Sequence, residues 1–188
     1  MADNTVANVT AAAPALNGAV YMAPKGTTPP TSAVASLAAA FEPLGYISED
    51  GVTNSNSPSA TPIKAWGGDT VYVTNDGRPD EWKFKAIEYL NTAVLKLAWG
   101  DDNVSGSLQA GIEVKTNNKP MGAHVFAIDI VHRNGVLERI VIPEGTMTAL
   151  EDIVYKNTDV VGLGVTVSAA PDSDGNSSYR YIKAAAST

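Results

Sequence analysis

The sequence predicts a mainly β protein, an antiparallel β-sandwich or barrel with one flanking α-helix. Roughly eight or more short segments are either apolar or alternate between apolar and polar residues, and turn signals recur at intervals of roughly 8–15 residues. A single segment changes to a helical period. The 188 residues include 44% hydrophobic and 18% charged residues, a composition typical of a folded domain that can bury its own core.

The first half of the chain contains short strands joined by turn-rich segments. Residues 18–24, GAVYMAP, predict the first strand, and residues 44–48, LGYIS, predict a second. Between them, residues 32–41 predict a short helix or a turn, with Ser32 as a cap. Further along, residues 81–88, EWKFKAIE, place their large apolar side chains at every second position. That alternation predicts a half-buried antiparallel strand.

The segment EYLNTAVLKLAWG predicts the one helix. Leu90, Ala93, Val94 and Leu97 fall at i, i+3, i+4 and i+7, which makes a single apolar stripe. Gly100 follows the stripe at the position where a helix ends. The helix is therefore expected to pack this stripe against the sheet.

The second half returns to strands. Asn134-Gly135 separates two apolar alternating runs, which is the strongest short-range signal for a β-hairpin. Both faces of the run after Gly135 are largely apolar, as expected for a central strand. Residues 160–169, VVGLGVTVSA, and residues 177–184, SSYRYIKA, predict two further strands joined by the turn PDSDGNSS.

A long polar stretch interrupts this pattern between Leu44 and Val71. It begins like a strand, becomes polar for about ten residues, and ends at Trp66 before Gly67-Gly68. The segments IKAW and TVYVT on either side of the two glycines are strand-like, and NDGRPD after them predicts a strong turn. We interpret the stretch as a long inter-subunit loop, with a place for Trp66 in the protein's own core as the alternative.

Residues 1–16 are rich in Ala, Asn and Thr and have no usable period, so they predict an N-terminal arm ahead of a single domain at residues 17–188. No secretory signal and no membrane span are expected. The net charge is −7, from 20 acidic and 13 basic residues, which argues against tight binding of nucleic acid. The absence of cysteine excludes disulfides, thiolate metal sites and cysteine nucleophiles.

No motif in the chain predicts catalysis. His124 and His132 lie too far apart on one predicted strand to share a metal, and residues 172–176, DSDGN, lack the Glu that closes a calcium loop. Gly162-Leu163-Gly164 does not open a helix, so it is no dinucleotide fingerprint. We therefore expect no enzyme, no cofactor and no metal, and a structural or interaction role instead.

Several motifs, in their order along the chain, resemble a known family. They are VANVTAAAPALNGAVYMAPKGTTPP, LGYISEDGVTNSNSP with IKAWGGDTV, AWGDDNVSG, VHRNGVLERIVIPEG and DIVYKNTDVVGLGVTVSAAPDSDGNSSYRYIKA. Together they are similar to the major tail protein, the tail tube subunit of long-tailed siphophages, especially those that infect actinobacteria. The likeness covers nearly the whole chain and rests on loops and strands, so it carries over no catalytic residue.

The resemblance implies a β-sandwich subunit that forms hexameric rings, which stack into a hollow tube that conducts DNA during ejection. It implies a virion protein that is assembled in the host cytoplasm beside other tail proteins, such as the tape measure and the tail terminator. DNA would meet it in passage only, without specific binding. The inner tube of a contractile tail or injection system is an open alternative, and so is a carbohydrate-binding module that uses Trp66 or Trp99 as a stacking platform.

Two sets of residues are the candidates for this role. The subunit-interface candidates lie on or beside the long polar stretch and are Trp66, Gly67, Gly68, Asp50 and Pro79. The lumen-facing candidates are charged residues on otherwise apolar predicted strands and are Asp129, Glu138 and Arg139. An acidic lumen would repel DNA phosphate and so prevent sticking during transit.

Overall fold

A computed structural model describes residues 5–15 and 18–184. This part of the chain contains thirteen strands, one α-helix and three short 3-10 helices. The strands of the first half are β1 (Ala12–Pro14), β2 (Val20–Pro24), β3 (Glu42–Pro43), β4 (Ile47–Ser55), β5 (Ser59–Lys64), β6 (Thr70–Gly77) and β7 (Glu81–Ala86). The helix α1 (Thr92–Trp99) follows, and then come β8 (Val104–Ser107), β9 (Gly111–Val114), β10 (Ala123–His132), β11 (Leu137–Leu150), β12 (Leu163–Ala169) and β13 (Tyr179–Lys183). The 3-10 helices are Val6–Asn8, Asp101–Asn103 and Arg133–Gly135.

Nine strands form one antiparallel sheet in the order β3-β2-β10-β11-β12-β7-β4, with β1 also beside β10 and β13 also beside β11. Two-stranded sheets, β5-β6 and β8-β9, complete the described part. Here the two ends of the large sheet, β3 and β4, do not pair with each other, so it is not a closed barrel. The prediction of a mainly β, antiparallel fold with one helix is confirmed, and the architecture is consistent with the sandwich alternative.

The central hairpin β10-β11 forms where the sequence predicts it. Asn134 and Gly135 both have positive φ, at 65° and 73°, and the His132 amide donates to the Val136 carbonyl at 2.7 Å. Asn and Gly adopt this left-handed backbone at low cost, which lets the strands return antiparallel. β11 is long enough to pair with β13 along its first half and with β12 along its second half.

The main apolar core lies between the large sheet and α1. Side chains from β2, β7, β10, β11 and β12 meet there with the inner face of the helix. The alternation on β7 holds, because Trp82, Phe84 and Ala86 are buried while Lys83 is exposed. Burial of apolar surface is the main stabilising contribution, at about 25 cal/mol per Å².

Helix α1 ends before Gly100, as the sequence predicts, but it begins after Asn91 and so later than the predicted stripe. The Asn91 side chain accepts a hydrogen bond from the Ala93 amide, and Gly100, with φ of 94°, donates its amide to the Lys96 carbonyl. Ala93, Val94 and Leu97 are buried as predicted. Leu90 is not part of the stripe, because it precedes the helix and its side chain is 58% exposed.

One open alternative is decided and two local expectations change. Residues 32–41, predicted as a short helix or a turn, form turns, and Ser32 accepts a hydrogen bond from the Ala35 amide there. The polar stretch after Leu44 is largely β structure, since β4 continues to Ser55 and the hairpin β5-β6 follows. The predicted turn NDGRPD is shorter than expected, because β6 runs on to Gly77. Polar strands of this kind have no apolar period from which to be predicted.

Candidate assembly surfaces

The hairpin β5-β6 projects from the body of the protein. Its two strands contact each other and have no other substantial neighbour among the described strands and helices. Every residue of β5 is exposed, and in β6 only Thr74 is partly buried. The large apolar side chains on this hairpin are therefore in solvent, and they are Ile63, Trp66, Val71, Tyr72 and Val73.

Trp66 lies at the tip of this hairpin. The Ala65 amide donates to the Asp69 carbonyl at 2.8 Å and the Gly68 amide donates to the Ala65 carbonyl at 2.9 Å, which closes the turn. Gly68 has a φ of 94°, a conformation that favours glycine. The Trp66 side chain is fully exposed, at 106%, so the alternative that it belongs to the subunit's own core is excluded.

Both faces of the hairpin carry apolar side chains. Pro62 pairs with Val73 on one face, and Ile63 pairs with Tyr72 on the other. The hydroxyls of Thr61 and Thr74, on the second face, donate hydrogen bonds to Asp76 at 2.5 and 2.9 Å. These two bonds lower the pKa of Asp76. The hydrogen bonds support the pairing of the strands, while the apolar side chains of both faces have no cover within the subunit.

Asp80 holds the root of the hairpin. It is only 3% exposed, and its carboxylate accepts hydrogen bonds from Asn54 Nδ2 at 2.7 Å and from Ser178 Oγ at 2.6 Å. Its backbone carbonyl accepts from the Ala169 amide at 2.9 Å. Burial acts to raise the pKa of Asp80, but the hydrogen bonds from Ser178, Asn56 and Asn54 outweigh it and lower the pKa. The residue thus ties β4, β12 and the start of β13 together where β6 enters β7.

Asp80 was not recognisable in the sequence, although its neighbour Pro79 was an interface candidate. Pro79 is exposed in the segment that joins β6 to β7. Asp50 is exposed on β4, within an irregularity of the pairing with β7 between Ile47 and Val52. The interface candidates therefore lie at three places, namely the hairpin tip, the hairpin root and the outer part of β4, and their role at an interface stays a prediction.

The three lumen candidates form internal ion pairs. Arg139 is 6% exposed and binds the Asp129 carboxylate through Nε and Nη2, at 2.6 and 2.7 Å. Its Nη1 also donates to the carbonyls of Ser32 and Ala35, which fixes the 32–41 segment on the sheet. Glu138 is 8% exposed, with its carboxylate 2.6 Å from the Nε2 of His132. The burial of Glu138 and Arg139 weighs against direct contact with a lumen, and the lumen assignment stays a prediction.

The described part of the N-terminal arm includes a strand. β1 pairs with β10 through Ala12 opposite His132 and Pro14 opposite Ile130. The Thr10 hydroxyl accepts from the Arg133 amide at 3.0 Å. The arm is therefore attached to the body at this point, although residues 1–4 and 16 of the predicted arm lie outside the described residues. Its boundary stays a prediction.

The residues considered for metal binding have other partners. Asp172 accepts hydrogen bonds from the amides of Asp174 and Asn176 and from the Tyr179 hydroxyl, which lower its pKa. His124 Nε2 lies 3.0 Å from Asp101. Within residues 5–15 and 18–184, no group of three or more His, Cys, Asp or Glu side chains could hold a metal ion. The same ranges contain no helix with the length and apolar character needed to cross a membrane.

A curved antiparallel body, a projecting hairpin and an exposed aromatic tip are features of a protein that assembles with others. A family model described as phage tail tube protein matches residues 1–188. The chain belongs to the phage tail tube protein family. A tail tube protein is a structural component of the virion that assembles with other tail subunits into a tube, and the family is not an enzyme class. A comparison with curated proteins gave no significant match.

Proposed function

We propose that this tail tube protein forms hexameric rings, and that these rings stack into the hollow tube of a long-tailed siphophage and conduct DNA during ejection. The actinobacterial hosts implied by the sequence resemblance belong to this proposal, as do assembly in the host cytoplasm and contacts with a tape measure and a tail terminator. The single observation that carries the proposal is the β5-β6 hairpin, which presents Trp66 and other apolar side chains to solvent. Exposed apolar patches of this kind mark surfaces that bind protein.

The charge of the subunit supports passage of DNA without binding. With a net charge of −7, each copy repels phosphate at long range. Because Asp129 and Arg139 pair with each other inside the subunit and Glu138 is buried, we assign the repulsion to the exposed acidic residues as a group. Salt screens such repulsion, so that at 0.1 M ionic strength it acts over only about 10 Å.

Electron microscopy of the concentrated protein tests the assembly. Rings with six-fold symmetry and tubes of stacked rings are expected, and a protein that stays monomeric at high concentration and also on a tail template would refute the proposal. Deletion of residues 1–9, which leaves β1 in place, is expected to weaken stacking while the subunit keeps its unfolding temperature. Tubes of unchanged length from this variant would show that residues 1–9 of the arm do not contribute to stacking.

A carbohydrate-binding module is the second candidate, because an exposed Trp66 can stack on a sugar ring. A glycan screen of the intact protein, with Trp66→Ala as its control, distinguishes the two. Binding that depends on Trp66 in a protein that forms no tubes would favour the carbohydrate role.

A further inference from the structure

An apolar groove of about 660 Å³ lies between the N-terminal strand and the last strand of the sheet. β1 and β4 both border it, and each of these strands pairs on one edge only in the described part of the chain. The floor is formed by β10 between them. The apolar side chains that line the groove are Ala13, Pro14, Ile47, Val52, Ile128 and Ile130.

The rim of this groove is acidic. Glu49 and Asp50 line it, both are exposed, and neither forms a salt bridge with any basic side chain of the described residues. Gly51, with φ of 69°, follows them where the pairing of β4 with β7 is irregular. The site therefore combines an apolar floor with two carboxylates that lack a cationic partner there.

The tip of the β5-β6 hairpin has the complementary chemistry. Trp66 is a large apolar side chain with no cover, and Lys64 is exposed two residues before it. No acidic side chain in the described ranges forms a salt bridge with Lys64. An aromatic side chain of this size buries about 150–250 Å² when it enters an apolar site. The apolar groove can therefore take up the Trp66 side chain, and its acidic rim can pair with Lys64.

The position of the two features on β4 makes this a contact between copies. The hairpin leaves after the last residue of β4, Ser55, whereas the groove borders residues 45–52 at the other end of the strand. None of residues 59–77 lines the groove, and the hairpin has no substantial contact with another described strand or helix, so its tip does not occupy the groove of its own subunit. A contact between different surfaces on identical copies does not close on a pair, and it continues into a ring or along an open line of copies.

We infer that the hairpin tip of one copy, residues 64–69, binds in the groove between β1 and β4 of a second copy. Trp66 packs on Pro14, Val52 and Ile130, which line the groove and are not fully buried, and Lys64 forms an ion pair with Glu49 or Asp50. The inference rests on the proposed assembly into a tube and adds the acceptor site to it. It assigns one contact between copies to two surfaces that are both complete in the isolated subunit.

Charge exchange tests the ion pair. Lys64→Glu and Asp50→Lys are each expected to raise the protein concentration needed for tube formation roughly tenfold or more, because like charges then meet at the rim. The double variant Lys64→Glu/Asp50→Lys is expected to recover most of this loss. Lys115→Glu, just after the exposed end of β9, is the matched control and should leave assembly unchanged. Additive losses in the double variant would overturn the inference.

Cysteine cross-linking locates the contact, because the chain has no cysteine of its own. A side chain at Gly67 would meet no other atom within 4 Å of its Cβ, and Ala13 is exposed. A chain with Gly67→Cys and Ala13→Cys therefore keeps both surfaces. Oxidation of its tubes should give a ladder of covalent oligomers, since a disulfide requires Cα atoms within about 7 Å. The pair Leu108→Cys with Ala13→Cys should give none.

The outcomes separate this inference from the proposed function. Tubes without the ladder, or with the ladder only from the Leu108 control pair, overturn the groove as acceptor and leave the tube intact. A chain that forms no tubes under any condition refutes the proposed function, and the inference with it. Each variant is first compared with the parent protein by thermal unfolding, so that a loss of assembly is not confused with a loss of fold.

Discussion

The body of the protein and its β5-β6 hairpin use similar residues in opposite ways. On β10 and β11, apolar side chains such as Phe126 and Val141 are at most 1% exposed, because other strands, the helix and the 32–41 segment cover the sheet. On the hairpin, Tyr72 and Val73 are more than half exposed. Strand-forming residues therefore predict extended backbone in both regions, but they do not tell which strands the subunit covers by itself.

This difference separates the residues that stabilise the fold from those that are expected to mediate assembly. A two-stranded hairpin is at best marginally stable alone, so this one depends on its hydrogen bonds and its root at Asp80, and in the proposed tube also on the surface that it contacts. The body, by contrast, has a core of its own. Substitutions in the body should lower the free energy of unfolding, and substitutions at the tip should lower assembly. The expected loss in the free energy of unfolding is therefore largest for the buried ion pair of the body and smallest for the tip of the hairpin.

The largest effect is expected for Arg139→Met. The substitution leaves the Asp129 carboxylate without its partner and releases the 32–41 segment, so it should lower the free energy of unfolding by about 3–5 kcal/mol. Denaturant unfolding followed by circular dichroism measures this. The double variant Asp129→Leu/Arg139→Met should lose less than the single one, and a single-variant loss below about 1 kcal/mol would contradict a structural role for the pair.

A second test uses Asp80→Asn, which weakens the hydrogen bonds at the hairpin root and should cost about 1–3 kcal/mol. The pKa of Asp80 is lower in the folded protein than in the unfolded chain, so the unfolded chain takes up the proton more readily. The stability from Asp80 is thus complete above the unfolded pKa of about 3.9 and is lost as the pH falls through the lower folded pKa.

As the pH falls below about 4, the free energy of unfolding of Asp80→Asn should therefore decrease less steeply than that of the parent protein. The exposed carboxylate of Asp76 on the hairpin provides a control, and Asp76→Asn should leave the body's unfolding transition in place. If stability depends on pH equally steeply in the parent protein and in Asp80→Asn, then Asp80 does not contribute to this pH dependence.

A smaller effect is expected for Asn91→Ala at the start of α1. The side chain caps the Ala93 amide, and loss of an N-cap costs about 1 kcal/mol. Thermal unfolding should show a lower midpoint. Asn91→Ser, which can cap the same amide, should retain most of the stability, so a serine variant as unstable as the alanine variant would point to the other hydrogen bonds of Asn91.

The smallest effect on the fold is expected for Trp66→Ala. The side chain has no contact area to lose within the subunit, so the free energy of unfolding should change by less than about 0.5 kcal/mol. Tube formation, followed by sedimentation and electron microscopy, should be strongly reduced. Leu108→Ala, at another exposed hairpin turn, is the matched control. Normal tubes from Trp66→Ala would show that the tip is not an assembly contact.

The sequence was sufficient for those elements whose signals are local. The alternation of Trp82, Phe84 and Ala86 predicts β7, and Asn134-Gly135 predicts the turn of β10-β11, because each signal lies within a few residues. The polar residues 48–55 could not be predicted as a strand, since β4 borders the groove and carries few apolar side chains. Its pairing with β7 supplies what the pattern lacks.

The candidate sites were harder to predict because their partners are distant in sequence. Asp80 binds Asn54 and Ser178, which are 26 and 98 residues away. The burial of Arg139 depends on carbonyls of the 32–41 segment more than 100 residues earlier. A charge on an apolar strand therefore indicated a functional surface in the sequence, while the structure satisfies that charge inside the subunit. For Trp66 the sequence left two places open, an interface or the subunit's own core, and it is the structure that shows the side chain in solvent.

The anchoring of the hairpin at Asp80 has a mechanical consequence. A tail that bends pulls on its longitudinal contacts, and a hairpin joined to the body by one flexible peptide would swing with each pull. Here the root is tied to β4, to β12 and to the residue before β13, so a load on the tip spreads over three strands of the large sheet. In the assembly that we propose, the hairpin would therefore act as a stiff lever, and bending of the tube would be taken up between subunits and not within them.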